Sequence, residues 1–316
     1  MQKPIVKLYE TRNTQLRRGE HPRSVQREPL RISARQQALD LLEGNRLTDR
    51  DINLARAFIG VGILSRDQIQ RLFFHDHLKL AGNRLVRLYH YHYLDRGLHW
   101  GQEMSDMGLP PCYIYTLNRV GLEAYAAYTN TPSGSVPFTH DRYRLTRHNH
   151  FLLHDLQISE MFTRLQTHVW QMGHEMTWFN EMAAALHRDD EELVRPDGLA
   201  IVEPGEGSQD IGFFVEMDRG HTNWEKKIVL YERARQQSLW KVALKVETYP
   251  AVLCVVPARL QRVVFRVVEE KRPLTQYYIK SWESFLQGDL LSGWHTVRQV
   301  APVDLLPVMK GGELSG

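Results

Sequence analysis

The residues with most chemistry to offer lie between positions 194 and 231, where the chain reads VRPDGLAIV, then the polar loop EPGEGSQD, then IGFFVEMDRG and HTNWEKKIVLY. Successive side chains of a strand point to opposite faces, so Asp197, Leu199 and Ile201 share one face of a first strand, and Phe214, Glu216 and Asp218 one face of a second. A hairpin closing symmetrically over residues 203–210 sets Asp197 opposite Glu216. Directly opposed side chains have Cβ atoms roughly 4.5 to 5.5 Å apart, and two carboxylates at that distance destabilise a sheet unless a proton, an ammonium group or a cation lies between them. On the following helix Lys227, Tyr231 and Arg235 are spaced four apart and share a face, so an ammonium and a phenol can reach the pair. Glu160, on an earlier helix, is the candidate third acid. Mg²⁺ or Mn²⁺ suits such a group, because magnesium prefers a few carboxylates plus waters. Asp197, Glu216 and Glu160 are therefore the candidate metal ligands, and Asp197, Glu216, Asp218, Lys227 and Tyr231 the candidate catalytic residues.

Positioning these groups takes a sizeable core, which 316 residues with 42% hydrophobic content can bury. The length implies two domains. No apolar run approaches the ~18 residues of a membrane span, and the first residues, MQKPIVKLYETRN, are not of signal-peptide type, so a cytoplasmic protein without a membrane partner is expected. Two cysteines far apart, Cys112 and Cys254, argue against a disulfide framework or a cysteine zinc site. The net charge of +3 is unevenly placed: residues 1–35 hold nine Lys/Arg and three Glu, leaving 31 basic and 34 acidic residues elsewhere. Residues 1–46 read as a basic arm, either a solvated tail or a segment that meets nucleic acid.

Beyond the arm, Thr48-x-x-Asp51 and Ser65-x-x-Gln68 are capping boxes that open two short helices. A third helix, about 78–92, has Leu78, Ala81, Leu85 and Leu88 as its apolar stripe and Lys79, Asn83, Arg87 and Tyr91 on the other side, with Arg84 beside them. Arg and Asn suit the edges of guanine and adenine, and Lys and Arg neutralise phosphates, so these five are the candidate DNA-binding residues; the alternative is a solvated helix face. With strands at 93–99 and 112–117 pairing across a Gly/Pro segment, three helices and a hairpin make a winged helix over residues 47–130. A helix at 118–128 and a Pro/Gly/Ser-rich linker at 131–145 follow.

Residues 146–300 read as a second domain of order αβββαβαβ, with helices near 148–171, 222–240 and 258–270 and strands near 176–180, 194–203, 211–218, 251–256 and 275–280. Segment 281–300 is an expected edge elaboration, and 301–316 a tail. His148, His150 and His154, like the His75/His77 and His90/His92 pairs, read as surface or hydrogen-bonding residues rather than a metal set.

This order resembles restriction-endonuclease-like, PD-(D/E)xK-type nucleases, which use an acid after a proline on one strand and an acid and a lysine two apart on the next. The chain supplies Pro196-Asp197 and Glu216-Met217-Asp218, with an acid where those enzymes have the lysine. A winged helix followed by Arg195-Pro196-Asp197, Glu216-x-Asp218-Arg219 and Lys227-x-x-x-Tyr231 resembles the replication-relaxation family of plasmid and mobile-element proteins over about residues 47–257. The resemblance implies an α+β or α/β fold, a winged helix-turn-helix domain joined to a mixed-sheet nuclease-like domain, acting on double-stranded DNA of a plasmid, phage or transposon. Two functions follow from it: an endonuclease or nickase using Mg²⁺ or Mn²⁺, or a non-catalytic DNA-binding regulator or adaptor of replication, mobilisation or transcription with a degenerate site. A second copy of the chain and a protein of a replication, mobilisation or transposition machinery are the further expected partners.

Overall fold

The computed structural model describes residues 30–75, 77–99, 112–138, 145, 150–205, 209–238, 240–297, 299–303 and 305. Outside them lie most of the expected arm, the Gly/Pro segment between the first two paired strands, much of the linker, His148 and most of the tail. The chain is a mixed α+β protein with a three-stranded and a seven-stranded sheet.

Both capping boxes form. Ser33 caps α1 (Ala34–Glu43), the Asp51 carboxylate accepts from the Thr48 N–H and hydroxyl at the start of α2 (Asp49–Val61), and Ser65 and Gln68 cap each other on α3 (Arg66–Phe73). Helix α1 corrects the arm as expected over 1–46: its Ala38 and Leu41 are buried against α5 (Arg119–Tyr128), so the globular structure begins before residue 47. Helix α4 (Leu78–His90) buries Ala81, Leu85 and Leu88, but Leu78 is 42% exposed and lies off the apolar stripe. Strands β2 (Leu94–His99) and β3 (Cys112–Leu117) pair antiparallel from Leu94↔Leu117 to His99↔Cys112, and β3 also pairs with the short β1 (Ile63–Ser65), an unforeseen partner.

The long helix α6 (His150–Gln171) leads into β4 (Glu175–Asn180), a short helix α7 (Glu181–Ala184) and a small hairpin of β5 (Leu186–Arg188) and β6 (Glu191–Val194). Next come β7 (Gly198–Glu203), β8 (Ile211–Met217), α8 (Trp224–Gln236), α9 (Trp240–Leu244), β9 (Ala251–Val256), α10 (Ala258–Lys271), β10 (Tyr277–Ser281), α11 (Trp282–Gln287), β11 (Trp294–Thr296) and β12 (Gln299–Val303). The large sheet has the order β12-β11-β10-β9-β8-β7-β4, with β8, β9 and β10 parallel and the outer pairs antiparallel. The C-terminal segment thus extends one edge as expected, but β12 runs on to Val303 and Leu305 is buried, so the ordered edge passes the expected start of the tail at 301.

Alternation along β8 divides the core. Phe213, Val215 and Met217 join a cluster with Leu165 of α6 and Phe58 of α2, so one apolar core runs beneath both sheets. Phe214 joins Leu199, Ile201, Ile228 and Tyr231 beneath α8 and α10. Among the described residues no helix is long and apolar enough to cross a membrane.

Candidate functional site

The β7–β8 hairpin has the expected register, Gly198 opposite Val215 and Leu199 opposite Phe214. Asp197 stands one residue ahead of β7, where its N–H donates to the Val215 carbonyl at 3.1 Å and its Oδ2 accepts from the Met217 N–H at 2.7 Å. Gly198 is required beside it: an added Cβ would stand 2.5 Å from Cζ2 of Trp178.

Glu216, Lys227 and Tyr231 converge on one carboxylate oxygen. Lys227 Nζ is 2.9 Å from Glu216 Oε1, and the Tyr231 hydroxyl donates to the same oxygen. The ammonium also donates to the Arg195 carbonyl at 2.9 Å, tying α8 to the loop that carries Asp197. Burial pushes the Glu216 carboxyl up to about 7; Lys227 pulls against that rise and Asp197 adds to it. Burial also works to lower the Lys227 pKa, but the Glu216 and Asp197 carboxylates outweigh it and the value lies above the ordinary one. Burial, then Glu216, hold the Tyr231 phenol well above its usual range.

His154 of α6 completes the cluster, with Nε2 3.3 Å from Asp197 Oδ1. Burial lowers its pKa, yet the hydrogen bond and charge of Asp197 raise it further, so the imidazole is more basic than usual. Sequence reasoning placed His154 on this helix without a partner. Its spacing on α6 carries no signal for Asp197, because only the packing of α6 across the sheet brings them together.

Two other expected members are engaged elsewhere. The Asp218 carboxylate accepts from the N–H groups of Gly220, His221 and Thr222 and from the Trp224 indole at 2.7 Å, which locks the turn into α8. Those bonds hold its pKa below the usual value although burial works against them. The cap of α8 is Asn223, its side chain accepting from the Lys226 N–H. Lys227 is paired with Glu216 and not with Asp218. Glu160 faces away from Asp197 toward α3: Arg71 binds both its oxygens, Gln68 donates at 3.1 Å and Arg164 at 3.1 Å. Among the described residues no group of three or more His, Cys, Asp or Glu is placed to share one metal ion.

On α4, Lys79, Asn83 and Arg87 are exposed and Tyr91 is half-buried just past its end. Arg84 is turned inward: Nε donates to Asp51 Oδ1 at 2.9 Å, and Nη2 donates to Asp51 Oδ2 and to the Arg46 carbonyl. The exposed face also holds Leu80 and Val86.

A family model described as replication-relaxation matches residues 60–247, well over half of the chain, including both the α4 surface and the Asp197–Glu216–Lys227 cluster. No curated protein and no solved structure matches. The chain belongs to the replication-relaxation family.

Proposed function

We propose that this chain is a DNA-binding protein whose second domain nicks or cleaves double-stranded DNA with Mg²⁺ or Mn²⁺. Family membership carries the coarser role, in replication or relaxation of a plasmid or other mobile element. For the first domain, the supporting features are α2, α3 and α4 followed by the β2–β3 hairpin, a winged-helix order in which α4 turns Lys79, Asn83 and Arg87 outward to a groove. For the second, the supporting features are α6, β4, β7, β8, α8 and β9 in chain order, with α7 and the β5–β6 hairpin inserted before β7 and α9 before β9, and β9 parallel to β8, as expected of a restriction-endonuclease-like core.

The observation that carries the catalytic reading is Lys227 Nζ at 2.9 Å from Glu216 Oε1. Position 218 is an aspartate spent on a turn, and α8 supplies the ammonium that the strand lacks. The donor set fits magnesium, which is satisfied by one or two carboxylates plus waters: Asp197 and Glu216 come together at the end of the hairpin, and the Asp197 charge adds to the burial that raises the Glu216 pKa. Glu160 and Asp218 are not part of that set. When bound, the ion would supply charge stabilisation and a more acidic water. Lys227 holds a proton beside the pair, Tyr231 orients Glu216, and His154 with the Met217 N–H fixes Asp197.

The second reading, a non-catalytic DNA-binding regulator or adaptor, draws on Glu216 and Asp197 each already having a basic partner, Lys227 and His154. Incubating supercoiled plasmid with the full chain and Mg²⁺ or Mn²⁺ separates the two. Nicked or linear product that disappears in Asp197→Asn supports the nuclease; DNA binding without any cleavage leaves the adaptor.

A further inference from the structure

Helix α10 presents Arg259, Arg262 and Arg266, spaced three and four apart. At 100° per residue they fall within a sector of about 60°, and at 1.5 Å per residue they span about 10 Å. All three are exposed, whereas Val264 and Val268 hold the opposite face in the core. Nearby basic residues have carboxylate partners, Lys271 with Glu225 at 3.5 Å and Arg233 with Glu191 at 2.8 Å. None of the three stripe arginines has one among the described residues, and the acidic residues of the helix, Glu269 and Glu270, lie in its last turn.

The stripe starts at the border of the candidate site. Beside β8, β9 sets Cys254 opposite Glu216 and Val255 opposite Met217, and the chain then turns through Pro257 into α10. A Cβ on Gly220 would come within 3.8 Å of Arg259 Nη2, so this guanidinium lies against the turn that Asp218 holds and that feeds α8. An uncompensated row of guanidinium groups leading away from a phosphodiester-cutting site is complementary to the polyanionic strand such a site would receive.

We propose that Arg259, Arg262 and Arg266 form a second DNA-contacting surface that binds the phosphate backbone of duplex DNA beyond the candidate site, without reading sequence. This rests on the reading that the chain binds duplex DNA. The test uses the full chain and a fluorescein-labelled random-sequence duplex, with anisotropy titrations over a salt series. Each phosphate contact contributes about 0.9 to the slope of log affinity against log salt, so Arg259→Gln/Arg262→Gln/Arg266→Gln should lower the slope by about 2 to 3 and weaken binding about tenfold or more. Because the side chains are exposed, the melting temperature should not move. Arg188→Gln/Lys241→Gln/Lys245→Gln removes equal charge from exposed positions elsewhere and should leave most of the slope intact. Wild-type binding with an unchanged slope in the stripe variant, as for a stripe that meets an acidic protein instead, overturns this inference alone. An equal loss in the control variant also overturns it, in favour of net charge. Failure of the wild-type chain to bind any duplex removes the DNA-binding reading and the stripe with it.

Discussion

Arg71 and Glu160 meet in a two-point ion pair, Nη1 to Oε1 at 3.0 Å and Nη2 to Oε2 at 2.5 Å, that ties α3 to α6. Arg164 extends the tie, donating to Glu160 and to the carbonyls of Phe285 and Leu286 on α11. His154, on the same α6, reaches Asp197, so one helix touches both α3 and the candidate site. Burial disfavours the Glu160 charge, but Arg71 and Arg164 outweigh it and hold its pKa below the ordinary value.

Glu160→Ala leaves two arginines facing a buried gap. Removing one partner of a buried pair costs about 3 to 5 kcal/mol, so the urea midpoint should fall by a matching amount while secondary structure below the transition is kept. A loss under about 1 kcal/mol would mean the pair is solvated and does not hold α3 to α6.

Arg84 and Arg87 should separate cleanly. Arg84→Ala removes the partner of Asp51, whose side chain is only 1% exposed, and should cost about 3 kcal/mol of stability. Arg87→Ala should leave the melting temperature unchanged and weaken DNA binding by about 1 to 3 kcal/mol in a mobility-shift assay. The reverse pattern would show that Arg84, not Arg87, faces DNA.

The Glu216 carboxyl has an ordinary pKa of 4.5 and is raised to about 7 in the folded chain. The folded state therefore holds this proton more tightly than the unfolded one. Its contribution to stability is complete below about pH 4.5 and is lost as pH rises through about 7. Glu216→Gln is neutral at every pH, so the stability difference between wild type and variant should shift in favour of glutamine between about pH 5 and about pH 8. His154 titrates nearby in both proteins and cancels to first order. Urea unfolding at the two pH values measures the shift; an equal difference at both contradicts the raised pKa.

Lys227→Met leaves Glu216 with Tyr231 alone and should destabilise the chain by about 3 kcal/mol at pH 8. If the ammonium also serves the reaction, plasmid nicking should fall by about 100-fold or more. Lys227→Arg keeps a cation at Glu216 and should recover stability without recovering the rate. Recovery of both would reduce Lys227 to a counter-ion.

What the sequence by itself determined is what short range governs. The capping boxes at Thr48 and Ser65, the alternation along β7 and β8, and the turn length between them settle the helix starts and the strand register, and with them the approach of Asp197 to Glu216. Lys227 and Tyr231 were legible for the same reason, since an i, i+4 spacing on the helix after the hairpin puts both on its sheet-facing side. Tertiary structure decided which partner each long polar side chain took. Glu160 and Arg84 each had a charged face to occupy, and nothing local distinguishes a metal or a phosphate from the guanidinium or carboxylate of a helix packed alongside. Asp218 shares the strand parity of Glu216, but lies one residue past the end of β8, where free N–H groups of the next turn compete for its oxygens. His154 joined the site because α6 crosses the sheet beside Asp197, a contact between segments more than forty residues apart that no helical or strand period records.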